Sequence, residues 1–196
     1  MTRGAGRSAI LIAGSSHVGK TTLAKKVSDA LDWQMISTDG LARHPGRPWP
    51  TVRPEVAEFY ASLTPETIYW FLRVHHENMW PGIRRLIDKE IEAGKPFVLE
   101  GSALRPEFVA PLLSGFVAGV CLYGEEDFLR ARMRAEAGYE AADPGTRVIM
   151  DKFIERSVRD NSEIRAAAKE GGLRLVNVAD PSAVEGIFEE LVGAAR

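Results

Sequence analysis

The chain has 196 residues, 45% hydrophobic and 27% charged, which suits one domain with a real core and sets aside disordered, collagen-like and membrane-spanning classes. Its formal net charge of −2 gives no broad basic field for nucleic acid or an anionic membrane, leaving at most a small local basic groove. The single cysteine, Cys121, excludes an internal disulfide and fits a reducing, cytoplasmic compartment.

Residues 1–7 are basic and precede an apolar run, but residues 9–13 are too short for the apolar core of a secretory signal. That run, AILIA, reads instead as a strand buried on both faces. A helix follows over 20–31, with Leu23, Val27 and Leu31 at spacing four. Residues 33–37 form a second strand ending at Thr38 and Asp39, and 43–54 a loop rich in proline and arginine. Two helices occupy 54–63 and 65–93, with Pro81 expected to break or kink the second. A strand over 96–99 ends at Glu100, and a short helix lies near 106–113. The apolar run 117–122 is a fourth strand in which Cys121 reads as a buried residue rather than a reactive thiol. A helix over 125–137, a loop over 138–145, a long helix over 147–169, a strand over 173–178 and a helix over 181–192 complete the chain. Strands alternating with helices predict a three-layer α/β fold with right-handed crossovers, and no linker divides it. Ligands in such sheets bind beyond the carboxyl ends of the strands, where Gly14, Asp39 and Glu100 fall.

The segment Gly14-Ser15-Ser16-His17-Val18-Gly19-Lys20-Thr21 matches G-x-x-x-x-G-K-[ST] in full. Its glycines let the backbone curl so that several N–H groups point at phosphate, and the following helix adds its positive end. Lys20 is expected to reach the β- and γ-phosphates of ATP, Thr21 to ligate Mg²⁺, and Thr22 to complete the nucleotide contacts. His17 reads as a partly exposed loop residue, with a catalytic histidine as the alternative.

Asp39 could accept a hydroxyl proton from an acceptor or hold the Mg²⁺ shell; its alternative is a turn residue, since Asp-Gly is itself a turn signal. Glu100, at a strand end before Gly101, is placed like a Mg²⁺-binding carboxylate, or else caps the following turn. Arg130 and Arg134 share a helix face, with Arg132 pointing elsewhere; with Arg156 and Arg159 they read either as solvated surface or as a clamp on the phosphates. The aromatics Trp49, Phe59, Tyr60, Tyr69, Trp70, Phe71 and Trp80 cluster after Asp39, mostly as local core or dimer contacts, with one or two free to line an acceptor pocket. Arg43, Arg47, Arg53 and Arg105 are expected near that pocket as partners for an anionic group. The adjacent pair His75-His76 is no metal signature, because neighbouring helical residues diverge by about 100°. No Asn-Lys-x-Asp segment reads guanine.

With its phosphate loop and element order, the sequence resembles the P-loop nucleoside and small-molecule kinases, among them adenylate, shikimate and 2-phosphoglycerate kinases. The resemblance implies five parallel strands in the order 2-3-1-4-5, an acceptor-binding helical insertion at about 40–94 and a lid at about 135–147. By position, Arg130 resembles the arginine that packs on adenine and Arg134 the one that contacts phosphate. Asp180, within Ala179-Asp180-Pro181, resembles the loop whose backbone touches adenine. Glu100-Gly101 followed by Arg105 resembles the segment that meets the acceptor, and 149–168 the helix after the lid in 2-phosphoglycerate kinase-like proteins. The expected function is therefore Mg²⁺-dependent transfer of the ATP γ-phosphoryl group to a small, anionic acceptor by a monomer or homodimer, with Lys20, Asp39 and Arg134 catalytic and Asp39, Arg43 and Arg105 at the acceptor. A nucleotide or nucleic-acid 5′-end kinase and a nucleotide-dependent regulatory ATPase are the competing readings.

Overall fold

Strand β1 (Ala9–Ala13) is the centre of the molecule, apolar at every position and wholly buried. The computed structural model describes residues 7–196, so the first six residues of the basic start lie outside the described residues. Strands β2 (Gln34–Ser37), β3 (Phe97–Glu100), β4 (Val117–Tyr123) and β5 (Arg174–Asn177) complete one all-parallel sheet in the order β2-β3-β1-β4-β5. This is the expected order. Register pairs Glu100 with Ile12 on one side and with Ser37 on the other, so β1, β2 and β3 end together at the carboxyl edge.

The period of two along β1 divides its side chains between two cores. Ile10 and Ile12 join Leu23 and Val27 of helix α1 (Lys20–Leu31) and Ile187 and Leu191 of helix α7 (Pro181–Ala195). Ala9, Leu11 and Ala13 face the other way, against Ile83 and Ile87 of helix α3 (Pro65–Glu92) and Ile164 and Ala168 of helix α6 (Pro144–Glu170). Cys121 lies in this second core, where burial pushes its thiol up to about 12, so the inert reading holds.

Helix α3 continues through Pro81, so of the expected break or kink the break does not occur. A proline costs one ladder hydrogen bond and strains one turn, but burial of Leu72 and His76 before it and Ile83 and Ile87 after it fixes both halves. Helix α6 starts three residues earlier than the sequence pattern predicts, because Asp143 caps Gly145 and Thr146 and Pro144 fills the first helical position.

Helix α2 (Pro54–Ser62) and the first half of α3 occupy the segment where an insertion is expected and are anchored to α6 through aromatic rings. Trp49 lies 4.7 Å and Tyr60 6.0 Å from Phe153, centroid to centroid. The local-core reading holds for Trp49, Tyr60 and Tyr69, whereas Trp70 and Phe71 are exposed. The short helix α4 (Pro106–Val109) and helix α5 (Glu126–Ala137) supply the remaining connections. Between α5 and α6, where a lid is expected, a tight turn is held by Arg147, which donates to the carbonyls of Tyr139 at 3.0 Å and Glu140 at 2.6 Å. No helix among the described residues is long and apolar enough to cross a membrane.

Candidate active site

The loop between β1 and α1 curls back over the carboxyl edge of the sheet. Gly14 has φ +142°, and a Cβ there would lie 2.5 Å from the Leu122 carbonyl oxygen, so only glycine lets the loop leave the sheet this way. His17 is left-handed at φ 65°, a conformation few side chains tolerate. Lys20 begins α1, and its ammonium donates to the Ser15 carbonyl at 2.6 Å, closing the loop on itself. Burial lowers the Lys20 pKa, with Glu100 and Asp39 pulling the other way.

A cavity of about 490 Å³ opens beside this loop. Ser16, His17, Gly19, Lys20, Thr21 and Thr22 line it from the loop, and Asp39, His44, Gly46, Arg47, Leu72 and Ser102 from the segment between β2 and β3 and the turn after β3. Arg132 and Glu136 of α5 and Phe153 and Arg156 of α6 complete it. The phosphate loop and Asp39 are therefore brought together as expected. Gly14, Ser15 and Val18 lie beneath the loop as its support, Ser15 and Val18 wholly buried.

Glu100 does not line the cavity; it is buried at the end of β3, close enough to Lys20 for its charge to be felt there. Gly101 follows at φ +153°, where a Cβ would overlap the Thr38 hydroxyl, so β2 and β3 close tightly behind Asp39. Thr21 and Asp39 are exposed in the cavity and carry hard oxygen donors of the kind Mg²⁺ takes. Among the described residues no group of three or more His, Cys, Asp and Glu side chains could hold a metal alone, so these donors fit an ion completed by phosphate oxygens and water.

The arginines sort differently from the sequence reading. Arg132, not Arg130 or Arg134, faces the cavity. Leu129 and Met133 fix which face of α5 is buried, and this phase turns Arg132 and Glu136 inward. Arg130 pairs with Glu126 at 2.8 Å, and Arg134 with Asp151 at 3.3 Å while covering the Tyr139 ring. Arg105 is 1% exposed and bonded to Asp160 at 2.6 Å, with Glu107 at 3.1 Å. Burial opposes its charge, but Asp160 and Glu107 hold the Arg105 pKa above its ordinary value, so the residue braces the fold rather than lining the cavity. Arg43 and Arg53 are exposed and outside the cavity, and Arg47 reaches it while pairing with Glu136. Arg159 is engaged by Glu66 and Glu163, which leaves Arg156 alone of that pair at the site. Asp180 caps α7 through the Ser182 and Ala183 amides at 2.9 and 3.3 Å and does not line the cavity.

His17 is the other departure. Its side chain is 4% exposed rather than partly open, set 5.7 Å from Trp49 and 5.9 Å from Phe153, with Glu136 3.3 Å from Nε2. Burial lowers its pKa, with that carboxylate pulling the other way. Of the lining residues that motif reading did not place at the site, His44, Leu72 and Ser102 are the most scattered. They come from a loop, a helix and a turn far apart in sequence, and no spacing marks them.

No family model matches the chain, and no curated protein matches it. Among solved structures, an uncharacterized protein from Eubacterium ventriosum ATCC 27560 superposes with a TM-score of 0.52 at 14% identity, covering 95% of this chain and 99% of that one. A gluconokinase from Sinorhizobium meliloti 1021 gives 0.48 at 20% identity, over 98% of this chain and 93% of that one. A shikimate kinase from Acinetobacter baumannii, solved with shikimate, gives 0.47 at 14%, over 95% and 94%. At these identities the likeness concerns the fold.

Proposed function

We propose that this chain, which has the fold of the P-loop small-molecule kinases, is an ATP-dependent kinase that phosphorylates a hydroxyl group of a small acceptor. The observation that carries this reading is the juxtaposition of a complete phosphate loop with a carboxylate, Asp39, in one cavity large enough for a small molecule beside the terminal phosphates.

In the proposed reaction the loop amides and the positive end of α1 hold the β- and γ-phosphates. Lys20 exchanges its Ser15 carbonyl for phosphate oxygens, and Arg132 adds a second positive charge from α5. Asp39 accepts the acceptor hydroxyl proton as the acceptor oxygen bonds to the γ-phosphorus and the bond to the β-bridging oxygen breaks, leaving ADP. Thr21 and Asp39 would hold Mg²⁺, with Glu100 behind them oriented through water. When bound, that ion neutralises charge on the phosphates. Arg134 and Arg130, given catalytic and adenine-contacting roles by resemblance, would have to leave their present ion pairs to reach the nucleotide.

Steady-state kinetics of two variants test the assignment. Lys20→Ala should lower turnover at least about a hundredfold, because a phosphate contact in a desolvated site is lost. Asp39→Asn should lower kcat by a similar factor with little change in affinity for the nucleotide. Near-wild-type turnover in Lys20→Ala would remove the loop from the chemistry, and an unchanged kcat in Asp39→Asn would remove Asp39 as the base.

A further inference from the structure

The outer face of α3 carries apolar surface that nothing among the described residues covers. Trp70, Phe71 and Val74 are 53%, 45% and 48% exposed, and Leu41, in the loop beside the helix, is 48% exposed. Phe71 is held in place, its ring 5.3 Å from that of Phe59 and stacked on His75 at 6.4 Å. Further along the helix a groove of about 480 Å³ opens, lined by Leu41, His75, Met79, Gly82, Ile83 and Leu86. A Cβ added to Gly82 would have no neighbour within 4 Å, so the surface is hollow there. Single exposed apolar side chains are ordinary, but a projecting apolar cluster and an apolar groove on one helix face mark a contact surface.

We propose that this face binds a second copy of the chain, with the two α3 helices antiparallel about a two-fold axis at Asn78. The exposed residues are spaced for it. Phe71 and Val74 stand seven and four places before Asn78, and Gly82 and Arg85 four and seven places after it. Such spacings keep all five on one side of the helix as a single seam. Antiparallel pairing sets Val74 over the partner's Gly82, a side chain into a gap. It sets Phe71 under the partner's Arg85, whose guanidinium covers the ring as a cation. Asn78 meets the partner's Asn78, a polar pair of the kind that fixes register in helical seams. Every contact off the axis then occurs twice, as a two-fold interface requires. Parallel pairing would set Arg85 against the partner's Arg85 and leave the gaps at Gly82 unfilled, so charge and shape choose the antiparallel arrangement. Leu41 lies two residues after Asp39, so the seam borders the loop that carries the cavity's carboxylate.

Sedimentation equilibrium of the full chain tests this, without any assumption about catalysis. Wild type should be dimeric at about 10–100 µM, within the range that interfaces of ordinary size reach. Val74→Glu and Gly82→Lys should each weaken association at least about tenfold, because each buries a charge at the seam. Both positions are exposed in the single chain, so neither change disturbs its core. The double variant should regain the dimer, since each new carboxylate then meets a new ammonium across the axis. Mild oxidation gives a second reading, because the one natural cysteine, Cys121, is buried. Asn78→Cys should form a disulfide-linked dimer, whereas Arg85→Cys should not, its counterpart lying about 20 Å away along the helices. A wild type that stays monomeric throughout would mean that some other partner, or water alone, covers the face, and would overturn the proposal. So would a dimer that Val74→Glu leaves intact, a double variant no tighter than the single ones, or a cross-link through Arg85→Cys in place of Asn78→Cys.

Discussion

His76 shows how the site's chemistry depends on groups kept uncharged. It sits on α3, 2% exposed, with Nδ1 unpaired and Nε2 3.3 Å from the Ser102 hydroxyl. In the unfolded chain its imidazole titrates near 6.5, whereas in the fold burial holds it down to about 2. Below about pH 6.5 the unfolded chain therefore takes up a proton that the folded chain refuses. Stability from this residue is complete above that pH and falls by about 1.4 kcal/mol for each unit below it. His17, His44 and His75 are shifted in the same direction, each chiefly by burial. The capping carboxylates Asp143 and Asp180 are shifted below their ordinary values and titrate outside this window. Urea unfolding should give a lower stability at pH 5.5 than at pH 7.5 by at least about 1 kcal/mol, and His76→Gln should shrink that difference. Equal stability at both values would mean that His76 is not a neutral buried base.

Helix phase and helix continuity are where prediction and structure part. The repeat of arginines at 130, 132 and 134 says which two share a face but not which face meets the cavity. Leu129 and Met133 decide that by packing into the core, a choice made by contacts with α6 rather than by α5 itself. Arg105 and Asp160 are 55 residues apart, so the buried pair they form leaves no local pattern, and an arginine in a promising motif position becomes a brace. Pro81 misleads in the opposite sense, since a strong local breaker is overruled by burial on both sides. Its side chain is exposed, so replacing it removes little packing. Pro81→Ala should restore the donor to the Glu77 carbonyl and raise the unfolding free energy by about 1–2 kcal/mol, measured by denaturant titration. No gain, or a loss, would mean that Pro81 itself is needed to seat Ile83 and Ile87.

The architecture as a whole was legible because its signals are local and redundant. Strand β1 is five apolar residues, the glycine loop follows it directly, and α1 repeats its apolar residues at every fourth place. Their order alone implies a parallel sheet with the loop at its carboxyl edge, and Asp39 falls beside that loop because β1, β2 and β3 end in register. The rest of the lining was not legible, since His44, Leu72 and Ser102 meet only through tertiary packing around Phe153 and Trp49. That part of the cavity separates a kinase, which needs a second substrate, from an ATPase, which does not. Phosphorus NMR of the chain with Mg²⁺, ATP and a mixture of small hydroxylated compounds, anionic and neutral, distinguishes the two most directly. The account predicts a new phosphomonoester resonance growing in step with ADP and absent from Lys20→Ala. Release of ADP with inorganic phosphate alone, or no turnover of ATP at all, would contradict it.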